Sequence, residues 1–257
     1  MIELTRKKVV LLCVCGLVAG FLSGFFGIGG GVVIVPILVL LGFTQKSAAA
    51  TSLVAILPSA CVGVIAYLVS GAIHYPSAIL LACGVIVGAQ IGTKLLVLLP
   101  EKVLRWAFVA FLALVGVQQL IVEPSRYTDF SLTPVGGIGM VLIGILTGIL
   151  SGLLGIGGGI IIVPSLTFFF HVSDLTARGT SLLTMIPGTI SGTVRNRKNN
   201  LTDIKTGLII GLFACLTTTF GKLSVEMITP KAAAVLFGVF TFILIARSLV
   251  VALKKEK

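Results

Sequence analysis

The chain has 257 residues, of which 57% are hydrophobic and only 11% are charged. Soluble domains carry about 25% charged residues, so this composition excludes a water-soluble fold and makes lipid the solvent for most of the surface. The net charge is +11, but the basic residues form short clusters without the pattern of a nucleic-acid-binding module. The sequence predicts an all-α integral membrane protein, a polytopic helix bundle with roughly eight spans of about 20 apolar residues each, and no nucleic-acid partner.

Two of the uncharged stretches, 9–45 and 130–170, are too long for one membrane helix. Each contains four glycines in five positions, followed by a proline. Glycine costs about 1 kcal/mol relative to alanine inside a helix, so both stretches are predicted to break. Three ordinary spans follow each break. The first set begins near Ser47, Tyr75 and Lys102, and the second begins near Arg178, Lys205 and Lys231.

The two broken stretches nearly repeat each other. The segment Gly24–Pro36 reads GFFGIGGGVVIVP, and Gly152–Pro164 reads GLLGIGGGIIIVP. The same register, an offset of 128 to 130 residues, continues for some seventy residues, which indicates an internal duplication. We therefore divide the chain into an N-terminal repeat (1–122), a linker (123–133) and a C-terminal repeat (134–257).

The distribution of lysine and arginine predicts the topology of these repeats. If each broken stretch is re-entrant, returning to the side from which it came, the repeats are inverted and 15 of the 19 basic residues face the cytoplasm. If it crosses the membrane once, 12 basic residues face the cytoplasm and 7 face the outside. The positive-inside rule favours inverted repeats in the cytoplasmic membrane with both termini cytoplasmic. The four residues then expected outside are Arg126, Arg178, Lys222 and Lys231.

The glycine breaks are the main candidate for a substrate site. Broken backbone at membrane depth is tolerated only where protein or a wet cavity receives its polar groups. The amides at the start of the next half-helix can bind an anion, and paired broken helices point to a transport site; close helix packing is the alternative. The predicted substrate-binding glycines are Gly27, Gly29, Gly30 and Gly31 in the first break and Gly155, Gly157, Gly158 and Gly159 in the second.

Neutral side-chain donors accompany the glycines. Two Thr-Ser pairs recur in the repeats, serines precede both breaks, and one glutamine lies in the span after the first pair. They can hydrogen-bond an oxyanion without burying a charge, although local bonding to a helix carbonyl is the alternative. The predicted members of the site are Thr51, Ser52, Gln90, Thr180 and Ser181.

Charged and catalytic groups are not expected near this site. All eight acidic residues are placed in loops, the linker or the termini, and no lysine or arginine is placed at the depth of the breaks. This favours a passive carrier, or one that uses the protonation of its own substrate. No catalytic set, cofactor motif or metal set can be assembled, which argues against an enzyme. The five cysteines lie in apolar runs and are interpreted as core residues, with one lining the path as the alternative.

The doubled G-x-G-G-G-x-x-x-x-P motif, from Gly27 to Pro36 and from Gly155 to Pro164, resembles that of the sulfite exporter TauE/SafE family of bacterial membrane permeases. The Thr-Ser pairs also fit, and the resemblance covers nearly the whole chain. It implies transport of a small sulfur-containing anion such as sulfite, thiosulfate or an organosulfonate. The alternatives are a carrier of another small anion, such as a carboxylate, and a membrane assembly or thiol-relay protein. Exact substrate, direction, coupling ion and oligomeric state stay open.

Overall fold

The computed structural model describes residues 6–121 and 133–254. Every regular element in these two ranges is a helix, and short turns connect the helices. Five helices fall in each range, so the two halves have the same order of elements. They are α1 (Arg6–Phe26), α2 (Gly31–Leu40), α3 (Gln45–Val69), α4 (Tyr75–Leu98), α5 (Glu101–Ile121), α6 (Pro134–Leu154), α7 (Gly159–Phe170), α8 (Asp174–Lys198), α9 (Ile204–Glu226) and α10 (Pro230–Lys254).

Both predicted helix breaks are present. The first separates α1 from α2 at residues 27–30, and the second separates α6 from α7 at residues 155–158. Three of the four residues in each break are glycines with backbone φ between 71° and 95°. Only glycine adopts this left-handed conformation without a steric penalty, so the local sequence dictates the break. The helices that follow, α2 and α7, have only 10 and 12 residues.

Six helices in the described ranges are long and apolar enough to cross a membrane, namely α1, α3, α4, α6, α9 and α10. Large apolar side chains cover their outer faces, and Ile79, Leu212 and Phe220 are each more than 60% exposed. Side chains that face lipid have to be apolar, because lipid offers no hydrogen-bond partner to polar groups. The fold is therefore that of a polytopic helical membrane protein.

Two helix pairs join the halves of the chain, since α1 packs along α9 and α4 packs along α6. Glycine sets the close spacing in both pairs. A Cβ atom on Gly24 would lie 1.8 Å from the carbonyl oxygen of Thr218, and one on Gly88 would lie 2.1 Å from that of Ile145. No larger residue fits there unless the helices separate, so these glycines serve helix packing.

The centre of the bundle is formed by α3 and α8, which pass each other in opposite directions. Gly179 near the start of α8 lies against Tyr67 near the end of α3, whereas Gly192 lies against Leu53, much closer to the start of α3. The short helices α2 and α7 pack on α3 and α8 respectively. The breaks are thereby held beside the middle of the two central helices.

The expectation that every acidic residue lies in a loop, the linker or a terminus is wrong. Asp174 and Arg178 lie within α8 rather than in a loop, and they are only 1% and 6% exposed. Lys222 and Glu226 likewise lie within α9, where their charged atoms are 2.9 Å apart. The two residues of each pair lie four positions apart on one helix face, so their opposite charges meet within the helix and do not require a loop. A buried carboxylate is therefore present, and passive transport no longer follows from the charge distribution.

Candidate functional site

The two helix breaks meet at the centre of the bundle. A Cβ atom on Gly31 would lie 2.5 Å from the carbonyl oxygen of Gly155, and one on Gly159 would lie 2.3 Å from that of Gly27. The first residue of each half-helix thus rests against the first residue of the opposite break. All eight predicted glycines are buried, and the structure brings them together in one place.

Two apolar side chains fill the space between the breaks. A Cβ atom on Gly29 and one on Gly157 would each lie 2.7 Å from the Cε methyl of Met185 on α8. Ile56, the equivalent residue on α3, contacts the same two glycines. Both side chains are fully buried, so the centre is closed in this conformation. These two residues could not be predicted from sequence, because an apolar side chain in an apolar helix carries no signal.

The half-helices begin without side-chain caps. Their N-cap residues are Gly30 and Gly158, so no side chain accepts from the first amides. Those amides have no acceptor within their own helix, and they carry the positive end of the helix dipole. Two buried hydroxyls near the breaks, of Ser23 on α1 and Thr147 on α6, have no hydrogen-bond partner within the described residues. Each break therefore combines uncapped amides with a neighbouring hydroxyl.

The serines of the Thr-Ser pairs lie directly against the breaks. The Ser52 hydroxyl donates to the carbonyl oxygen of Gly155 at 2.5 Å, and the Ser181 hydroxyl donates to that of Gly27 at 3.0 Å. Each serine thus binds the break of the opposite half. The breaks are held by the two central helices, which supply equivalent bonds from both sides.

The threonines of the same pairs have partners in the loops. The Thr51 hydroxyl oxygen accepts from the amide of Asp203 at 3.0 Å, and that of Thr180 accepts from the amide of His74 at 2.9 Å. Those amides belong to the N-cap residues of α9 and α4. The threonines therefore connect each central helix to a loop of the other half, and a role in substrate binding stays a prediction.

Gln90 lies farther from the breaks than the other predicted residues. Its Nε2 atom donates to the hydroxyl of Ser191 at 2.7 Å, where α4 contacts α8. Ser191 is six positions beyond Met185 on α8, which corresponds to about 9 Å along a helix axis. This bond stabilises the contact of the two helices, and the half-buried amide does not share the closed centre.

A cavity of about 40 Å³ lies beside the breaks, between α1, α7, α8 and α10. A site for one water molecule needs about 10–15 Å³, so the cavity has room for a small ion. Arg178 and Asp174 supply its charged groups, and Gly159 contributes the start of α7. The rings of Phe26 and Phe237, with centroids 4.8 Å apart, form an apolar wall.

Arg178 brings a full positive charge to the edge of the first break. One terminal nitrogen donates to the carbonyl oxygen of Phe25 in the last turn of α1, and the other lies 3.7 Å from Asp174. A Cβ atom on Gly27 would lie 2.7 Å from the Cβ of Arg178. The expectation that no basic residue lies at this depth is therefore wrong. Arg178 was not predicted as a site residue, because Ala49 occupies the equivalent position in the first repeat and the charge therefore does not recur.

An equivalent cavity of about 30 Å³ lies on the first half of the molecule. It is lined by Pro36 and Gln45, which occupy the positions equivalent to Pro164 and Asp174 of the first cavity. Its arginine is Arg105 of α5, whose position in the first repeat does not correspond to that of Arg178 in the second. Both halves of the molecule thus form a small cavity with one arginine beside the short helix.

The thiols and the metal-binding types of residue are dispersed. All five cysteines are free, with Cys61 and Cys83 exposed on the surface of the protein and Cys15 buried. Within residues 6–121 and 133–254, no three His, Cys, Asp or Glu side chains are grouped as a metal site requires. The thiol-relay alternative gains no support from this arrangement.

The chain matches the family Sulfite exporter TauE/SafE over residues 3–133 and 140–257. It is 29% identical over 204 residues to a probable membrane transporter protein of Xylella fastidiosa, with 78% of each chain covered. It is 27% identical over 213 residues to the probable membrane transporter protein YunE of Bacillus subtilis, which covers 72% of this chain and 77% of YunE. A match to a probable membrane transporter protein of Methanocaldococcus jannaschii, 34% identical over 125 residues, covers 45% of this chain and 47% of that relative. No solved structure matches the chain. The chain therefore belongs to the TauE/SafE family of membrane transporters.

Proposed function

We propose that this transporter is a permease that moves a small sulfur-containing anion, such as sulfite, thiosulfate or an organosulfonate, across the cytoplasmic membrane. The observation that supports it best is the meeting of the two helix breaks, where Gly31 and Gly159 each rest on the opposite break. Helix N-termini bind anions because their amides are unsatisfied and the dipole is positive there. The name of the family, Sulfite exporter TauE/SafE, points to sulfur chemistry.

In this proposal the anion passes between the breaks and contacts the amides around Gly29–Gly31 and Gly157–Gly159. An anion in lipid is prohibitively costly unless it is hydrogen-bonded, and the uncapped starts of α2 and α7 provide donors from both halves. Ser52 and Ser181 hold the break carbonyls away from the path by bonding to them. The side chain of Met185 has to move for the anion to pass.

We also propose that the two halves are inverted repeats with both termini in the cytoplasm. The opposite directions of the equivalent helices α3 and α8 support inversion, since repeats of the same orientation would place them parallel. Re-entrant breaks are supported by contacts between each break and the helix that precedes it. A Cβ atom on Gly30 would lie 2.7 Å from the carbonyl oxygen of Ala19 on α1, and a Cβ atom on Gly158 would lie 2.5 Å from the side chain of Thr147 on α6. Residues 1–5 and 255–257 lie outside the described ranges.

Cysteine labelling tests this topology. In a variant without the five native cysteines, we expect cysteines at Lys102 and Arg197, both exposed, to react with a membrane-impermeant thiol reagent only after the cells are permeabilised. A cysteine at Lys231 should react in intact cells. Labelling of the Lys102 position from outside would contradict the inverted arrangement. Flux through the same cysteine-free protein would eliminate the thiol-relay alternative.

The proposed function is tested by flux into proteoliposomes that contain the purified protein. The panel is sulfite, thiosulfate, sulfoacetate, sulfate and acetate, with protein-free liposomes as the control. We expect saturable uptake of at least one of the first three anions and much slower uptake of acetate. Preferred uptake of acetate would support the carboxylate-carrier alternative. Absence of flux for every sulfur anion would contradict the proposal.

A further inference from the structure

We propose that Arg178 recognises the transported anion in the cavity beside the first break, and that Asp174 occupies Arg178 when no anion is bound. This inference rests on the proposed function and adds the charged group that binds the substrate. It adds a charged contact on one side to the neutral donors that the paired breaks supply from both halves.

Arg178 holds a buried positive charge. Arg178 is only 6% exposed, and burying a guanidinium costs several kcal/mol unless it is paired. Its distance of 3.7 Å to Asp174 is longer than the 2.7–2.9 Å of a charge-assisted hydrogen bond. Arginine presents donors in a planar fork that matches oxyanions. A sulfur oxyanion can therefore replace the carboxylate with a closer contact.

Arg178 shares its cavity with the start of α7. Gly159 and Ile160 line it, and they are the first two residues of α7, where the amides have no acceptor within the helix. A full positive charge and the positive end of a helix thus border the same space. The apolar walls from Phe26, Ile28 and Phe237 suit the carbon part of an organosulfonate.

The two halves of the molecule differ at the position of Arg178. Ala49 occupies the position equivalent to Arg178 and packs directly on the second break, where a Cβ atom on Gly155 would lie 2.4 Å from its Cα. No charge is possible in that space without moving the break. Among the described residues, an arginine therefore lies at the edge of the first break and an alanine at the equivalent place on the second, and we place the charged half of the anion site at the first break.

A purely structural role for Arg178 makes a different prediction. Its bond to the carbonyl of Phe25 stabilises the C-terminal end of α1, and its pair with Asp174 stabilises α8. In that case Asp174→Asn lowers stability and does not improve binding. If Asp174 competes with the anion, Asp174→Asn tightens binding. The sign of this effect separates the two roles.

The test is calorimetric titration of the full chain in detergent with sulfite and with methanesulfonate, in a gluconate buffer free of sulfonates. We expect Arg178→Gln to raise the Kd by about tenfold or more, because hydrogen bonds to charged groups are the stronger class. The Kd of Arg178→Lys should lie between those of the unmodified protein and Arg178→Gln, since lysine keeps the positive charge but lacks the planar fork of donors. Asp174→Asn should lower the Kd. The control Lys222→Gln, which removes the buried lysine of the other i,i+4 pair, should leave the Kd unchanged.

Each outcome decides the inference. An unchanged Kd in Arg178→Gln or Arg178→Lys, or an Asp174→Asn variant that binds no tighter, would overturn it. If Arg178→Gln does not elute as a folded protein, Arg178→Lys and Asp174→Asn carry the test. If the unmodified protein transports and binds these anions while the Arg178 variants bind equally well, only this inference fails. If the unmodified protein neither binds nor transports any sulfur anion, the proposed function fails with it.

Discussion

We expect Gly157→Ala and Gly29→Ala to reduce transport by about tenfold or more, which corresponds to about 1.4 kcal/mol, while the protein stays folded in the membrane. Backbone φ is 86° and 74° at these positions, a conformation that costs other residues roughly 1–2 kcal/mol. The added methyl would lie 2.7 Å from the Cε of Met185. Because this contact is with the flexible end of a side chain, the fold can adjust, but the space between the breaks is filled.

The control for this prediction is Gly71→Ala. Gly71 also has a positive φ, 65°, but a Cβ there would meet nothing within 4 Å. It shares the backbone strain without the central contact, so its flux should match that of the unmodified protein. The double variant Gly157→Ala/Met185→Ala should recover part of the flux. Equal flux in Gly157→Ala and Gly71→Ala, at matched expression, would mean that the breaks serve packing alone.

Gly30 and Gly158 are less suitable for this experiment. A Cβ on Gly30 would lie 2.7 Å from the backbone oxygen of Ala19, and one on Gly158 would lie 2.5 Å from Thr147. At Gly30 the obstacle is backbone, which cannot rotate away as the tip of Met185 can. Bulky substitutions there would disturb helix packing before they reported on transport.

The helix breaks could be predicted from sequence because their cause is local. Successive glycines penalise the helix wherever they occur, and their recurrence at Gly27–Gly31 and Gly155–Gly159 identified the duplication. The Thr-Ser pairs were found in the same way. Membrane insertion followed from composition, since too few charged residues were available to cover a water-facing surface.

The charged part of the site could not be predicted, because its cause is tertiary. Arg178 is buried by the end of α1 and by Asp174, and neither contact follows from the residues next to it in sequence. The positive-inside rule counts an arginine by its position between apolar stretches and does not detect burial. Met185 could not be predicted for a related reason, since its methyl group lies between Gly29 and Gly157 only because the two breaks meet in the folded protein.

The central claim is that the anion passes between the two breaks, where Met185 closes the space. It is tested most directly by a Met185→Cys variant of the cysteine-free protein. The variant is treated with a small maleimide, the excess reagent is removed, and flux is then measured. The matched control is Gly238→Cys, at a position on α10 where a Cβ would meet nothing within 4 Å.

We predict that the Met185→Cys protein transports before labelling and stops when the thioether fills the centre, whereas the labelled Gly238→Cys protein transports normally. Mass spectrometry establishes that both positions are fully modified. Complete modification at position 185 with unchanged flux would contradict a path between the breaks, as would a thiol at position 185 that never reacts in the transporting protein.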